Sequence, residues 1–203
     1  VGIAQKMLDE MNSTTLLAVP FFVMAAAFMQ HGGIAKALVD VAAAWVGWVR
    51  GGLGVVCVAA CAMFAAICGS SVATALAMGT ILIPAMIARG YPQSFALGVT
   101  AASGTLGILI PPSLPLILYA VIVDESVPRL FLAGVVPGVM QAALFIGFVL
   151  WYGRKRDLAR EPLRNGREFV RVNLRALPAL SLPVIIAVGI YGGIVTTTEA
   201  AAF

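Results

Sequence analysis

Two clusters of small polar residues stand out because of where they lie. Gly69-Ser70-Ser71 sits at the centre of Gly51–Ala88, a stretch without charge, amide or histidine. Ala101-Ala102-Ser103-Gly104-Thr105-Leu106-Gly107 leads into Ile108-Leu109-Ile110-Pro111-Pro112-Ser113, again inside an apolar run that continues to Val123. A serine or threonine acts as a nucleophile only when a base takes its proton. Between Gly51 and Val123 the only charged side chain is Arg89, and there is no Asp, Glu or His. Acid–base catalysis, zinc chemistry and a proton relay through this half are therefore unsupported. What remains are hydroxyls and whatever backbone carbonyls the prolines release. These are hard, neutral oxygen ligands suited to a desolvated alkali cation, and sodium coupling is the natural inference.

The elements that must hold these groups are membrane helices. Of 203 residues, 61% are apolar and 11% charged, and the mean hydropathy is +1.01. That excludes an ordinary soluble domain and a disordered chain. Leu130–Tyr152 is a predominantly apolar run of 23 residues, enough to cross a core of ~30 Å. Leu177–Val195 returns, Thr14–Gln30 is a shorter span, and Ile34–Arg50 reads as an interfacial helix marked by Trp45, Trp48 and Arg50. Within Gly51–Ala88, the glycines at the start and Pro84 near the end predict helical arms over Val55–Cys68 and Val72–Ile83. Arms of that length are too short to span and predict a re-entrant hairpin with Gly69–Ser71 at its tip. Phe95–Val123 predicts a helix broken at Pro111-Pro112, since adjacent prolines remove two donors and push the preceding residue out of the α region. Such a break inside a membrane is tolerated where it lines a cavity or binds something.

Charge sets the expected sidedness. Eight cations, Arg154, Lys155, Arg156, Arg160, Arg164, Arg167, Arg171 and Arg175, lie with Asp157, Glu161 and Glu168 in one short link between apolar spans. Short Lys/Arg-rich loops stay cytoplasmic. No RNA motif accompanies this stretch, so it predicts no nucleic-acid partner. Other residues take plain readings. Cys57, Cys61 and Cys68 share one helix face and form a packing stripe, not a metal site or disulfide. His31, before Gly32-Gly33, is a helix-end residue. Asp124 and Glu125 form a solvated turn on the outer side. Thr196-Thr197-Thr198-Glu199 is a capping box for a following helix. The chain opens at Val1 and stops at Phe203 in an apolar run, and a fragment is expected.

The sequence resembles the large membrane subunit of TRAP (tripartite ATP-independent periplasmic) transporters. The resemblance is carried by Gly69-Ser70-Ser71-Val72-Ala73-Thr74, Ile83-Pro84-Ala85-Met86, Gly90-Tyr91 and the run from Gly104 through Pro111-Pro112-Ser113. Gly51-Gly52-Leu53, Leu130-Phe131-Leu132-Ala133-Gly134 and Pro137-Gly138 match as well. It covers nearly the whole chain. It departs at Thr196–Ala200, where the family carries Thr-Pro-Thr-Glu-Ala and this chain has Thr197 in place of the proline.

The resemblance implies an all-α polytopic membrane protein with an inverted-repeat, elevator-type transporter fold, of which this chain covers about one repeat. Residues 1–50 would form a scaffold helix and interfacial arm. Residues 51–129 would form the transport-domain hairpin (51–88) and broken helix (95–123). Then come a transmembrane helix (130–152), a basic cytoplasmic loop (153–176), and a transmembrane helix with the start of the second repeat (177–203). The implied activity is not enzymatic. It is sodium-coupled import of organic acids such as C4-dicarboxylates through the bacterial inner membrane. The implied partners are a small four-helix membrane subunit and a periplasmic solute-binding protein. Carried onto this sequence, Ser70, Ser71, Gly104, Thr105 and Gly107 would contribute to a sodium site. Ser70, Ser71, Thr74, Pro111, Pro112 and Ser113 would border the substrate. Two other readings compete: a related carboxylate or anion transporter that works without a binding protein, and a structural membrane subunit that binds no solute.

Overall fold

A computed structural model describes residues 18–156, 158, 166–192, 194–196 and 199. The regular structure among them is helical: α1 Ala18–His31, α2 Ile34–Val46, α3 Gly52–Cys68, α4 Ser71–Ala88, α5 Gln93–Gly104, a 3-10 turn Thr105–Ile108, α6 Leu114–Val123, α7 Val127–Lys155 and α8 Gly166–Tyr191. The start of the first predicted span (Thr14–Leu17), Asp157, Arg160, Glu161 and Arg164 of the basic link, Thr197-Thr198 and residues 200–203 lie outside the described residues. Among the described residues, α4, α7 and α8 are long and apolar enough to cross a membrane.

A helix that is apolar all round has no face to offer water and must be interior. Helix α3 meets that condition: its residues are almost all buried, and α2, α4, α5, α7 and the 3-10 turn pack around it. Cys57, Cys61 and Cys68 are free and buried within it, the packing stripe their spacing predicts.

Both hairpin arms are longer than predicted. Helices α3 and α4 have 17 and 18 residues, or about 26 and 27 Å at ~1.5 Å per residue. The glycines do not delay α3, because Gly51 caps it in the left-handed conformation (φ 76°) and accepts from the amide of Gly54. Pro84 does not end α4, because packing two residues later outweighs the lost hydrogen bond. Met86 is fully buried, and its carbonyl accepts from the amides of Arg89 and Tyr91. Length therefore does not separate this hairpin from a spanning pair.

The link 153–176 also differs from the expected loop, since α8 begins at Gly166 and carries Arg167, Arg171 and Arg175 on helix. No glycine or proline interrupts Arg167–Leu177, and α2 supplies a packing surface. Ala176 and Ala179 are buried there, and Trp45 Nε1 donates to Asn173 Oδ1 at 3.0 Å. Helix α2 stops at Val46, before Gly47, rather than at Arg50. Trp45 and Trp48 are exposed. The capping box forms. Thr196 donates to Glu199 Oε2 through its amide and its hydroxyl, both at 2.8 Å, and the Glu199 amide returns a bond to Thr196 Oγ1 at 3.3 Å. The amide and then the hydroxyl of Thr196 hold the Glu199 carboxyl below its ordinary value. The cap is therefore complete at neutral pH and lost as pH falls through that lowered pKa.

Helix α7 aligns everything else. Its buried residues Val127, Phe131, Gly134, Gly138, Val149 and Gly153 recur at helical spacing, while Leu132, Val136, Met140 and Leu144 are exposed on the other side. An apolar face of this kind suits lipid or another membrane segment. At its basic end, Gly153 meets Gly51 backbone to backbone, and Tyr152 stacks on Phe95 with centroids 4.3 Å apart. Lys155 Nζ lies 5.2 Å above the Trp151 ring. The open end of the hairpin and the cationic end of α7 thus share one level. A Cβ on Gly153 would lie 2.8 Å from Gly51 Cα and 2.9 Å from Arg50 O. Gly153→Ala should therefore lower the thermal unfolding midpoint of the detergent-purified full-length protein. Gly147→Ala, with nothing within 4 Å, should leave it unchanged or raise it by the helix propensity gained, at most about 1 kcal/mol.

Candidate ion and substrate site

The two interruptions meet. Gly69 ends α3 in the left-handed conformation (φ 61°) and leaves no room for a side chain, since a Cβ would collide with the carbonyl oxygen of Pro112. Its own carbonyl accepts from the amide of Leu114 at 3.1 Å. On the other side of the tip, a Cβ on Gly107 would stand 2.7 Å from Ser70 C and O, and one on Gly104 would stand 3.2 Å from Ser71 O. Hairpin and break are therefore docked backbone on backbone. Ser113 Oγ closes the break by donating to Ile108 O at 2.8 Å, and the Pro111-Pro112 bond is cis. Helix α7 runs alongside: Thr105 bonds Gln141, its middle residue, while Leu109 and Ile110 pack on Gly134 and Gly138.

Four helix ends converge here. Helices α4 and α6 begin at Ser71 and Leu114, whereas α3 and α5 end at Cys68 and Gly104. N-termini present amides and partial positive charge, and C-termini present carbonyls and partial negative charge. One docking point therefore offers an anion and a cation complementary ends without any ionised side chain.

The predicted residues divide by what their polar atoms already do. Ser70, Ser71, Gly104 and Gly107 are brought into direct contact. The Ser70 carbonyl is occupied, accepting from the Thr74 amide at 3.0 Å, the Thr74 hydroxyl at 2.7 Å and, more weakly, the Cys68 thiol at 3.7 Å. Its hydroxyl caps α4 from a half-buried position, accepting from the Ala73 amide at 3.4 Å. Thr74 itself is fully buried, so it ties the tip from within and does not face an open cavity. Ser113 is likewise fully buried. Thr105 Oγ1 donates to Ala102 O at 2.6 Å and accepts from Gln141 Nε2 at 2.9 Å.

Pro111 and Pro112 line an apolar cavity of about 350 Å³ whose other walls include Phe131, Pro183 and Tyr191; none of the predicted serines opens into it. Among the described residues, Ser103 Oγ and Gln141 Oε1 are buried side-chain oxygens with no hydrogen-bond partner. Neutral acceptors of this kind suit an alkali cation. Gln141 is the residue that inspection of the two breaks passed over, although it is the sole side chain with a hydrogen-bonding group between Leu130 and Leu150.

The family model described as the tripartite ATP-independent periplasmic transporter, DctM component, matches residues 2–203. The chain belongs to this TRAP large-permease family. It is 48% identical over 188 residues to the C4-dicarboxylate TRAP transporter large permease protein DctM of Vibrio cholerae, covering 93% of this chain and 42% of that protein. With the protein of the same description from Pseudomonas aeruginosa it shares 46% over 201 residues, or 99% and 47% of the two chains. The isethionate TRAP transporter permease protein DctMQ of Oleidesulfovibrio alaskensis is 40% identical over 201 residues, or 98% and 32%. The chain thus spans less than half the length of these relatives. Relatives named as permeases, together with the apolar helices, make it a multi-pass TRAP-family membrane protein and not an enzyme.

The docking of tip on break in this TRAP permease is steric before it is chemical. Gly107→Ala drives a Cβ against backbone that has no flexible end to move. It should destabilise the purified full-length permease by about 1–3 kcal/mol, read as a fall in thermal midpoint. Gly98→Ala, with nothing within 4 Å, should not.

Proposed function

We propose that the chain is the hairpin-bearing half of the large permease of a sodium-coupled secondary transporter that imports organic acids through the bacterial inner membrane. The observation that carries this reading is the convergence of four helix ends and two docked backbone breaks in a region whose side chains carry no charge. A carboxylate is favoured at the amide ends and a desolvated cation at the carbonyl ends. Two relatives described as C4-dicarboxylate permeases, at 48% and 46% identity, favour a C4-dicarboxylate as the acid. Their periplasmic-transporter family favours delivery by a solute-binding protein and assembly with a small membrane subunit.

In this reading the hairpin is re-entrant. It opens beside Gly153 and the cations Arg154 and Lys155, which face the cytoplasm, and its tip meets the break beside the middle of α7. Ser70, Ser71, Gly104, Thr105 and Gly107 would hold the cation. The hydroxyl of Ser70 and the amide end at Ser71 would face the acid, while the Leu114 amide stays committed to the Gly69 carbonyl. Thr74 keeps the tip rigid from inside, and Pro111 and Pro112 keep the break open by withholding donors. The second repeat supplies the opposite wall, and hairpin and broken helix move together as an elevator because their backbones are in contact.

The test is uptake of a labelled C4-dicarboxylate into proteoliposomes holding the full-length permease and its small subunit, with the loaded binding protein outside. Uptake is expected to follow an imposed sodium gradient, and Thr105→Ala should raise the sodium needed for half-maximal uptake by about tenfold. Uptake driven by a proton gradient alone would overturn the reading.

A further inference from the structure

A glutamine in the middle of an apolar membrane helix is costly to bury and is retained where it binds or orients something. Gln141 is the central residue of α7, and between Leu130 and Leu150 no other side chain carries a hydrogen-bonding group. It lies on the inward side of α7, between Gly138 and Val149, and reaches the 3-10 turn that docks on the hairpin tip. The direction of its bond follows from its partners. The Ala102 carbonyl can only accept, so the single proton of the Thr105 hydroxyl goes there, at 2.6 Å. Thr105 Oγ1 must then accept from Gln141, through Nε2 at 2.9 Å. This fixes the Thr105 rotamer and leaves its oxygen one lone pair.

The other half of the amide is the informative part. Gln141 Oε1 is buried and has no donor. If the residue were only a strut between α7 and the break, its oxygen would be an uncompensated acceptor in an apolar interior, which is destabilising. We propose that Gln141 completes the cation site at the break: its nitrogen positions Thr105, and its carbonyl oxygen is an acceptor for the ion. This rests on the sodium-coupled reading above and adds a residue outside both the hairpin and the broken helix. It also links α7 to ion binding, so that the helix joining the break to the basic end senses whether the ion is present.

The experiment uses the purified full-length permease with its small subunit, titrated with sodium chloride against choline chloride at constant ionic strength. Thermal midpoint is the binding readout, and sodium-dependent uptake is the second. Gln141→Leu should raise the sodium concentration for half-maximal thermal stabilisation by about tenfold, and the half-maximal concentration for uptake in parallel. Its midpoint in choline should stay at or above that of the unsubstituted protein, because a buried unpaired oxygen has been removed. Gln141→Glu, which when protonated keeps one donor and one acceptor, should restore the sodium response. A strut leaves the sodium half-point unchanged in Gln141→Leu whatever the midpoint in choline, and that result would overturn the inference while leaving sodium coupling intact. A wild-type permease with no sodium-dependent stabilisation or uptake would overturn the sodium reading and the inference with it. If Gln141→Leu does not assemble, Gln141→Asn, too short to bond Thr105 and offer its oxygen in the same place, should weaken the sodium response likewise; an unchanged response in that variant would refute the proposal.

Discussion

Backbone amides and carbonyls cannot be left unpaired in an apolar interior, and this chain interrupts its helices there twice. Each interruption frees groups that water cannot reach. The structure resolves this by docking one interruption on the other. Gly69 gives its carbonyl to Leu114, Ser113 closes its own loop onto Ile108, and Thr74 covers Ser70 from within. Such docking requires backbones to approach closer than any Cβ permits, so Gly69, Gly104 and Gly107 are conditions for the site to exist. The polar ends left over at the junction are the ones available for a solute.

The same close approach recurs away from the site and gives the molecule its frame. Gly51 on Gly153 anchors the open end of the hairpin to α7, and Gly134 and Gly138 let α7 pass beside Leu109 and Ile110 of the break. Helix α7 therefore holds both ends of the hairpin–break unit along one rigid element. Interdigitation of small residues is the normal way for membrane helices to pack tightly, because lipid supplies no hydrophobic drive between them. Here it also sets register: a slip of α7 would separate Gln141 from Thr105 and Gly153 from Gly51 together.

Where the chain breaks was legible in its residues; how far each helix runs was not. Gly69-Ser70-Ser71 and Pro111-Pro112 are strong local signals because they act through φ and through missing donors. The first falls between α3 and α4, and the second lies in the break before α6, although α5 already ends at Gly104 and passes into a 3-10 turn rather than running to the prolines. Gly52, Gly54 and Pro84 are equally strong as types, yet α3 and α4 include them. At those positions the deciding energy is packing of residues distant in sequence, Gly153 against the capping Gly51, Val149 against Gly54, and the buried Met86 beyond the proline. The helical continuation of the basic link from Gly166 has the same origin in its contact with α2. Hydroxyl roles were legible only as a group. Which proton is committed, as for Thr74 and Ser113, depends on rotamers that no sequence pattern encodes. Gln141 escaped notice for a different reason. Its signal is isolation in an otherwise apolar span, whereas attention to broken helices looks for chemistry only where the backbone is irregular.

Neutrality of the site has a consequence for coupling. A carboxylate at this depth would need a partner at all times, since an isolated buried charge shifts its pKa or draws in water. Hydroxyls, carbonyls and helix ends carry no net charge, so an empty site of this kind imposes no ionic desolvation penalty on the protein. The penalty falls on the solutes, and it is smallest when a cation and an anion occupy adjacent ends together, each offsetting the other's field. Under the proposed function, this mutual compensation links sodium to the organic acid without a carboxylate or histidine between Gly51 and Val123. A site built on an ionised Asp would neutralise its cation by itself and weaken that link. The absence of acidic residues from Gly51 to Val123 is then part of how the two solutes are coupled, and the placement of a single neutral amide at Gln141 follows the same rule.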